Sequence, residues 1–212
     1  MRSRLLPLPT LLLAGWVGVA LAGELTVKPA GIAGTWYPGE PAVLTELIDR
    51  LLAEAEPPPG SGRLRALISP HAGYRYSGHS AAVGYRLLQG RQYRRILVLA
   101  PAHRGGFRGL SIAEVGAYRT PMGEVPLDLE AVRALRRSPL VGAWDEAHQG
   151  EHAIEIQLPF LQRGLAPGWR LLPILVGRME DGDHAAAAEL LRPWFDQDSL
   201  LLVSSDFTHY GW

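Results

Sequence analysis

The 212-residue chain contains no cysteine. That excludes disulfides, thiolate zinc sites, cysteine nucleophiles and a lipid anchor on a processed N-terminal cysteine within these residues. It also has no net charge, with Lys+Arg and Asp+Glu both at 21. With no basic stripe to neutralise phosphates, nucleic acid is not an expected partner. Several reaction motifs are missing as well. There is no G-x-S-x-G elbow, no Walker-type loop, no G-x-G-x-x-G after a strand and no H-E-x-x-H. Only one stretch approaches membrane-spanning length, and it lies at the N-terminus.

That stretch, residues 1–22, reads MRSRLLPLPTLLLAGWVGVALA. Arg2 and Arg4 form a basic start. An apolar run broken by Pro7 and Pro9 follows, and Ala20-Leu21-Ala22 places small residues before Gly23. This is the pattern of a cleavable secretory signal. The expectation is an exported, periplasmic or secreted protein with no stable membrane anchor after cleavage.

Residues 23–212 are expected to form one α/β domain. Hydrophobic residues make up 47% of the chain, enough for one sizeable core. Apolar runs at 64–69, 95–100, 171–176 and 200–205 predict buried strands, with a less distinct strand at 109–115. Helical spacing predicts helices over 41–56, 77–88, 127–136, 151–161 and 183–195, with Pro159 shortening or kinking the fourth. Continuous apolar strands alternating with helices predict a three-layer sandwich. Its central sheet is mainly parallel or mixed and covered on both faces.

Three of these strands end alike. LRALIS runs into Pro70-His71-Ala72-Gly73-Tyr74, RILVLA into Pro101-Ala102-His103, and LLLVSS into Asp206-Phe207-Thr208-His209. In a parallel sheet such ends share one edge, where ligands bind. Neutral imidazole suits iron, copper and zinc, and accepts protons near neutral pH. His71, His103 and His209 are therefore expected to line one site, with Asp206 orienting His209 or joining it. Glu151 opens the expected 151–161 helix, where it would either cap the helix or face the pocket. His152 would point with Ile156 in another direction. Trp36 and Tyr74 lie beside glycines and could wall the pocket, although core packing is the commoner use of such rings. His79, His148 and His184 read as structural or solvated.

Six segments in order then resemble the Memo family, whose bacterial and archaeal members are called AmmeMemoRadiSam system protein B. They are GTWYP at 34–38, ISPHAGYRYSG at 68–78, the strand ending in His103, TPMG at 120–123, EHAIEIQLPFL at 151–161 and SSDFTHYG at 204–211. The resemblance implies a fold shared with LigB-like extradiol ring-cleaving dioxygenases. In those enzymes two histidines and a carboxylate hold Fe(II), and a further histidine acts as acid and base. Carried over by motif, His71 and His103 fall on the metal ligands. His209, with Asp206 beside it, falls on the catalytic histidine. Glu151, His152, Tyr74 and Trp36 are the pocket candidates.

The resemblance implies Fe(II) as cofactor, with copper as the alternative. A remaining ligand, a cysteine in Memo proteins and a glutamate in the dioxygenases, is expected beyond Trp212, so the chain reads as C-terminally incomplete. The leading functional expectation is a metal-binding protein with a redox role. A catechol dioxygenase and a non-catalytic module for a small molecule or peptide are the alternatives. An exported chain also departs from intracellular relatives, which leaves their partners uninformative here.

Overall fold

The computed structural model describes residues 26–60 and 62–207. The expected signal segment and His209 lie outside these residues. Among the described residues, no helix is long and apolar enough to cross a membrane.

The architecture is an α/β sandwich built on two mixed sheets. The larger has six strands in the order β2 (Ala66–Ser69), β9 (Ser199–Ser204), β3 (Arg95–Pro101), β8 (Arg170–Val176), β4 (Leu110–Ser111) and β7 (Val141–Gly142). The first four run parallel, β4 is antiparallel to β8, and β7 is parallel to β4. Ile96, Val98, Leu172, Ile174, Leu200 and Leu202 are fully buried in the three inner strands. This is why those strands read as unbroken apolar runs rather than alternating ones. β2 is an edge strand, and its Ile68 is 52% exposed.

Helices α1 (Pro41–Glu54), α2 (Tyr74–Arg86) and α5 (Leu158–Gly164) pack on one another, and α2 also packs on β2. Pro41 starts α1 because a proline in the first turn sacrifices no helical hydrogen bond. Leu44, Ile48, Leu51 and Leu52 form its buried stripe. Asp128 caps α3 (Leu129–Leu135) by accepting from the Ala131 amide. The Asp128 carboxylate also holds the buried Arg95 guanidinium at the start of β3. α6 (Asp183–Leu191) continues into a short 3-10 turn at Arg192–Trp194.

Several features depart from the expected elements: the strand expected at 109–115 is only Leu110–Ser111, and β7 falls in no expected element. The smaller sheet joins β1 (Val27–Lys28), β5 (Ala117–Thr120) and β6 (Gly123–Pro126), with β5 and β6 forming a hairpin. These strands are too short to show a hydrophobic period. The expected 151–161 helix is not continuous: residues 151–154 are irregular, Glu155–Gln157 form a 3-10 turn, and α5 begins at Leu158. Pro159, in the first turn of α5, marks that start. The side chain of Glu151 bonds both its own segment and the loop after β3, and this shapes the site.

Candidate metal centre

β9 lies between β2 and β3, and its register aligns Ser69 with Ser204 and Leu99 with Val203. Residues that follow these three strands therefore emerge side by side at one sheet edge. His71 follows β2, His103 follows β3 and Asp206 follows β9. A third histidine enters from a different direction. His152, on the irregular segment before α5, joins His71 and His103, and one potential ligand atom from each lies within 4.8 Å of the others. The ring centroids of His103 and His152 are 4.4 Å apart, and those of His71 and His103 are 5.1 Å apart.

Hydrogen bonds fix how two of these rings present themselves. The Ser204 hydroxyl donates to the Ala153 carbonyl at 2.6 Å and accepts from Gln157 Nε2 at 2.9 Å. Its contact with His71 Nδ1, at 3.0 Å, therefore has the ring nitrogen as donor. A carboxylate can only accept, so His103 Nδ1 donates to Glu151 Oε1 at 3.0 Å. Both rings thus carry a proton on Nδ1, so Nε2 is the nitrogen each can offer to a metal. A carboxylate or hydroxyl behind each ring is how metal-binding imidazoles are usually oriented. The donor set fits a transition-metal ion.

Glu151 does more than orient His103. Its carboxylate also accepts from the backbone amides of His103 at 2.7 Å and of His152 and Ala153 at 2.9 Å. One buried side chain thus ties the loop after β3 to the segment carrying His152. Burial pushes the Glu151 carboxyl up, but the Ala153 and His103 amides and the His103 ring outweigh it and hold the group below its ordinary value. Burial drives His71 down, more than the nearby Asp206 carboxylate raises it. His152 is pushed down to about 4 by burial, opposed by Glu151 and reinforced by the other two rings. Both rings are neutral at pH 7 and so have lone pairs to offer.

The remaining candidates surround this cluster. Asp206 accepts from the His71 amide at 2.5 Å, and its other oxygen is 3.7 Å from His71 Nε2. Trp36 covers His152, with centroids 4.2 Å apart and planes at 38°. It sits on a tight turn in which Gly34, at φ 80°, donates to the Tyr37 carbonyl. Only glycine adopts that conformation without strain. Tyr74 is buried and gives its hydroxyl to the Ile156 carbonyl, so it props the His152 segment rather than facing the imidazoles. His148 is buried against Ser111, while His79 and His184 are exposed.

Sequence reasoning set His152 apart from the ligands because a helix beginning at Glu151 would turn it away. It also passed over Ser204, which holds His71, and Gln157, which holds Ser204; both are nearly inaccessible to solvent. A signal for Ser204 was present: a hydroxyl ending an apolar strand that must be buried.

The class of protein is defined by this arrangement, an α/β sandwich with histidines gathered at the C-terminal ends of its parallel strands. The chain belongs to the Memo family: the family model described as Memo-like protein matches residues 28–212. It is 34% identical over 194 residues to the "Protein memo-1 homolog" of Caenorhabditis elegans, covering 89% of this chain and 54% of that protein. It is 37% identical over 202 residues to a "MEMO1 family protein" of Aeropyrum pernix, covering 88% of this chain and 71% of the relative. A "MEMO1 family protein" of Aquifex aeolicus is 33% identical over 190 residues, with coverages of 88% and 68%. The chain thus spans about half the length of the nematode protein and about two thirds of the other two.

Proposed function

We propose that the chain binds one iron(II) or copper ion through His71, His103 and His152, and that the bound metal serves a redox role. The observation that carries this reading is the pair of fixed tautomers. Ser204 and Glu151 each occupy an Nδ1, which reserves Nε2 of His71 and of His103 for a ligand beside a third imidazole, that of His152. A bound ion of this kind would supply electron transfer or Lewis acidity. The protein's own groups position the imidazoles, and Trp36 shields His152 from water on one side. The Asp206 carboxylate, 3.7 Å from His71 Nε2, is close enough to complete the coordination. His209 is assigned the acid/base role that its motif implies. The N-terminal residues 1–22 are assigned to export, which a mature N-terminus at Gly23 in protein recovered from the periplasm would support.

The test is metal content and affinity, measured by elemental analysis and calorimetry with Fe(II) under anaerobic conditions and with Cu(II). Wild type is expected to bind one ion per chain. His71→Ala with His103→Ala is expected to lose it. Equal binding by both proteins would end the proposal. Oxygen uptake by the Fe(II)-loaded protein across a catechol panel would direct the redox role to ring cleavage.

A further inference from the structure

Lys28 is the only lysine in the chain; the remaining 20 of its 21 basic residues are arginine. It lies on β1, in register with Tyr118 of β5. Its Nζ sits 5.2 Å above the Tyr118 ring centroid. Among the described residues the amine has no ion pair and no hydrogen bond. It adjoins a cavity of about 550 Å³ between β1, the 113–115 loop and α4 (Asp145–His148). This cavity is formed by residues other than the three clustered histidines.

The chemistry of this position differs from that of an ordinary surface lysine. A guanidinium cannot lose its proton under physiological conditions, whereas an amine can. Burial lowers the Lys28 amine from its usual value, and the Glu155 and Glu151 carboxylates only partly oppose it. From α4 it faces neutral His148, and Lys28 in turn disfavours a proton on that imidazole. Asp145 of α4 and Glu114 also line the cavity, and Glu114 is committed to Arg136 at 2.6 Å. Val27, Pro29, Ala113 and Val115 give the cavity apolar walls. Acidic groups around an apolar space disfavour anionic ligands and admit neutral ones.

We propose that this cavity binds a small neutral aldehyde or ketone and that Lys28 condenses with it to form an imine. The Nζ lone pair attacks the carbonyl carbon, and the C=O π pair takes a proton to become the hydroxyl of a carbinolamine. Loss of that hydroxyl as water, with a proton from the nitrogen, leaves the C=N bond. No oxidant or reductant is needed. Desolvated lysines next to other potential cations are activated for this step because more of the amine is unprotonated.

The experiment uses the metal-free full chain with benzaldehyde at pH 7. Sodium cyanoborohydride traps the imine, and peptide mass spectrometry locates the benzyl group. The only competing primary amine is that of the N-terminus, which fragment ions distinguish from the Lys28 side chain. An ordinary lysine amine is unprotonated in only roughly 0.04% of molecules at pH 7. Lys28 is expected to react at least fivefold faster than Nα-acetyl-lysine amide. Its rate is expected to saturate with benzaldehyde concentration, as prior binding requires. Val115→Trp, which fills the cavity, is expected to bring the rate down to that of the standard. A rate no faster than the standard, a strictly linear concentration dependence, or an unchanged rate in Val115→Trp would each overturn the proposal. The saturation test is made on wild type and so does not depend on the variant folding. The readout is also independent of whether the histidines bind metal.

Discussion

Replacing Glu155 by glutamine tests how the turn carrying Trp36 is held. Glu155 is 1% exposed, and its carboxylate accepts three hydrogen bonds from residues more than a hundred positions away. Gly31 N donates to Oε2 at 2.8 Å, while Ile32 N at 3.1 Å and the Tyr37 hydroxyl at 2.6 Å donate to Oε1. An amide can accept at only one of its two ends. In the better orientation it keeps Ile32 and Tyr37 and turns its NH2 against the Gly31 amide. One bond is lost, worth about 1 kcal/mol at a position that water can reach. The other two fall from charge-assisted to neutral, a further cost of roughly 1 kcal/mol for the pair after solvent compensation. The expected destabilisation is about 2 kcal/mol, which for a domain of this size lowers Tm by roughly 4–8 °C.

Urea unfolding with an unchanged m-value gives the free energy directly. Tyr37→Phe alone should cost about 1 kcal/mol and distinctly less in the Glu155→Gln background, because the two groups share one bond. Additive losses, or a Glu155→Gln protein within about 0.5 kcal/mol of wild type, would refute the reasoning.

Three further predictions concern other parts of the molecule. Ser204→Ala removes the acceptor that fixes the His71 tautomer, and Cu(II) affinity by calorimetry should fall about 10–100-fold. Burial holds His148 down to about 4. The unfolded imidazole takes a proton as pH drops below about 6.5, while the folded one stays neutral until about 4. Stability should therefore be lost across that window, by roughly 2–3 kcal/mol, and His148→Gln should remove that part of the slope in urea midpoints measured from pH 7 to pH 4. Gly109 has φ 86°, and an added Cβ would meet the Leu140 carbonyl oxygen at 2.4 Å. Gly109→Ala should cost about 3 kcal/mol in thermal unfolding, from backbone strain and the clash together.

The central sheet was legible because burial on both faces removes any reason for polar residues in β3, β8 and β9. Each strand is then a run of apolar residues ending at a turn. The arrival of His71, His103 and Asp206 at one edge follows from parallel pairing alone, so it could be read without knowing the strand order. The small sheet was not legible, since β1 has two residues and β5 and β6 have four each. The placement of His152 was not legible either. A sequence beginning EHAIEIQ has a helical pattern, but Glu151 makes longer-range bonds to the loop after β3 that a regular first turn would not allow. Local propensity gave way there to a tertiary contact 48 residues away in sequence.

The strand order has a consequence for the time course of folding. β2 and β3 are not neighbours; they are separated by β9, which leaves the ribosome last among the described strands. Until residues 199–204 insert, the sheet does not set the spacing between β2 and β3, and the Ser204 hydroxyl is absent from behind His71. The three imidazoles precede β9 in the chain, yet their arrangement depends on it. The cluster should therefore form in the closing step of folding, after the slow, non-local pairing of β9 between two waiting strands. Until that step, the strand that sets His71 beside the other two rings is missing.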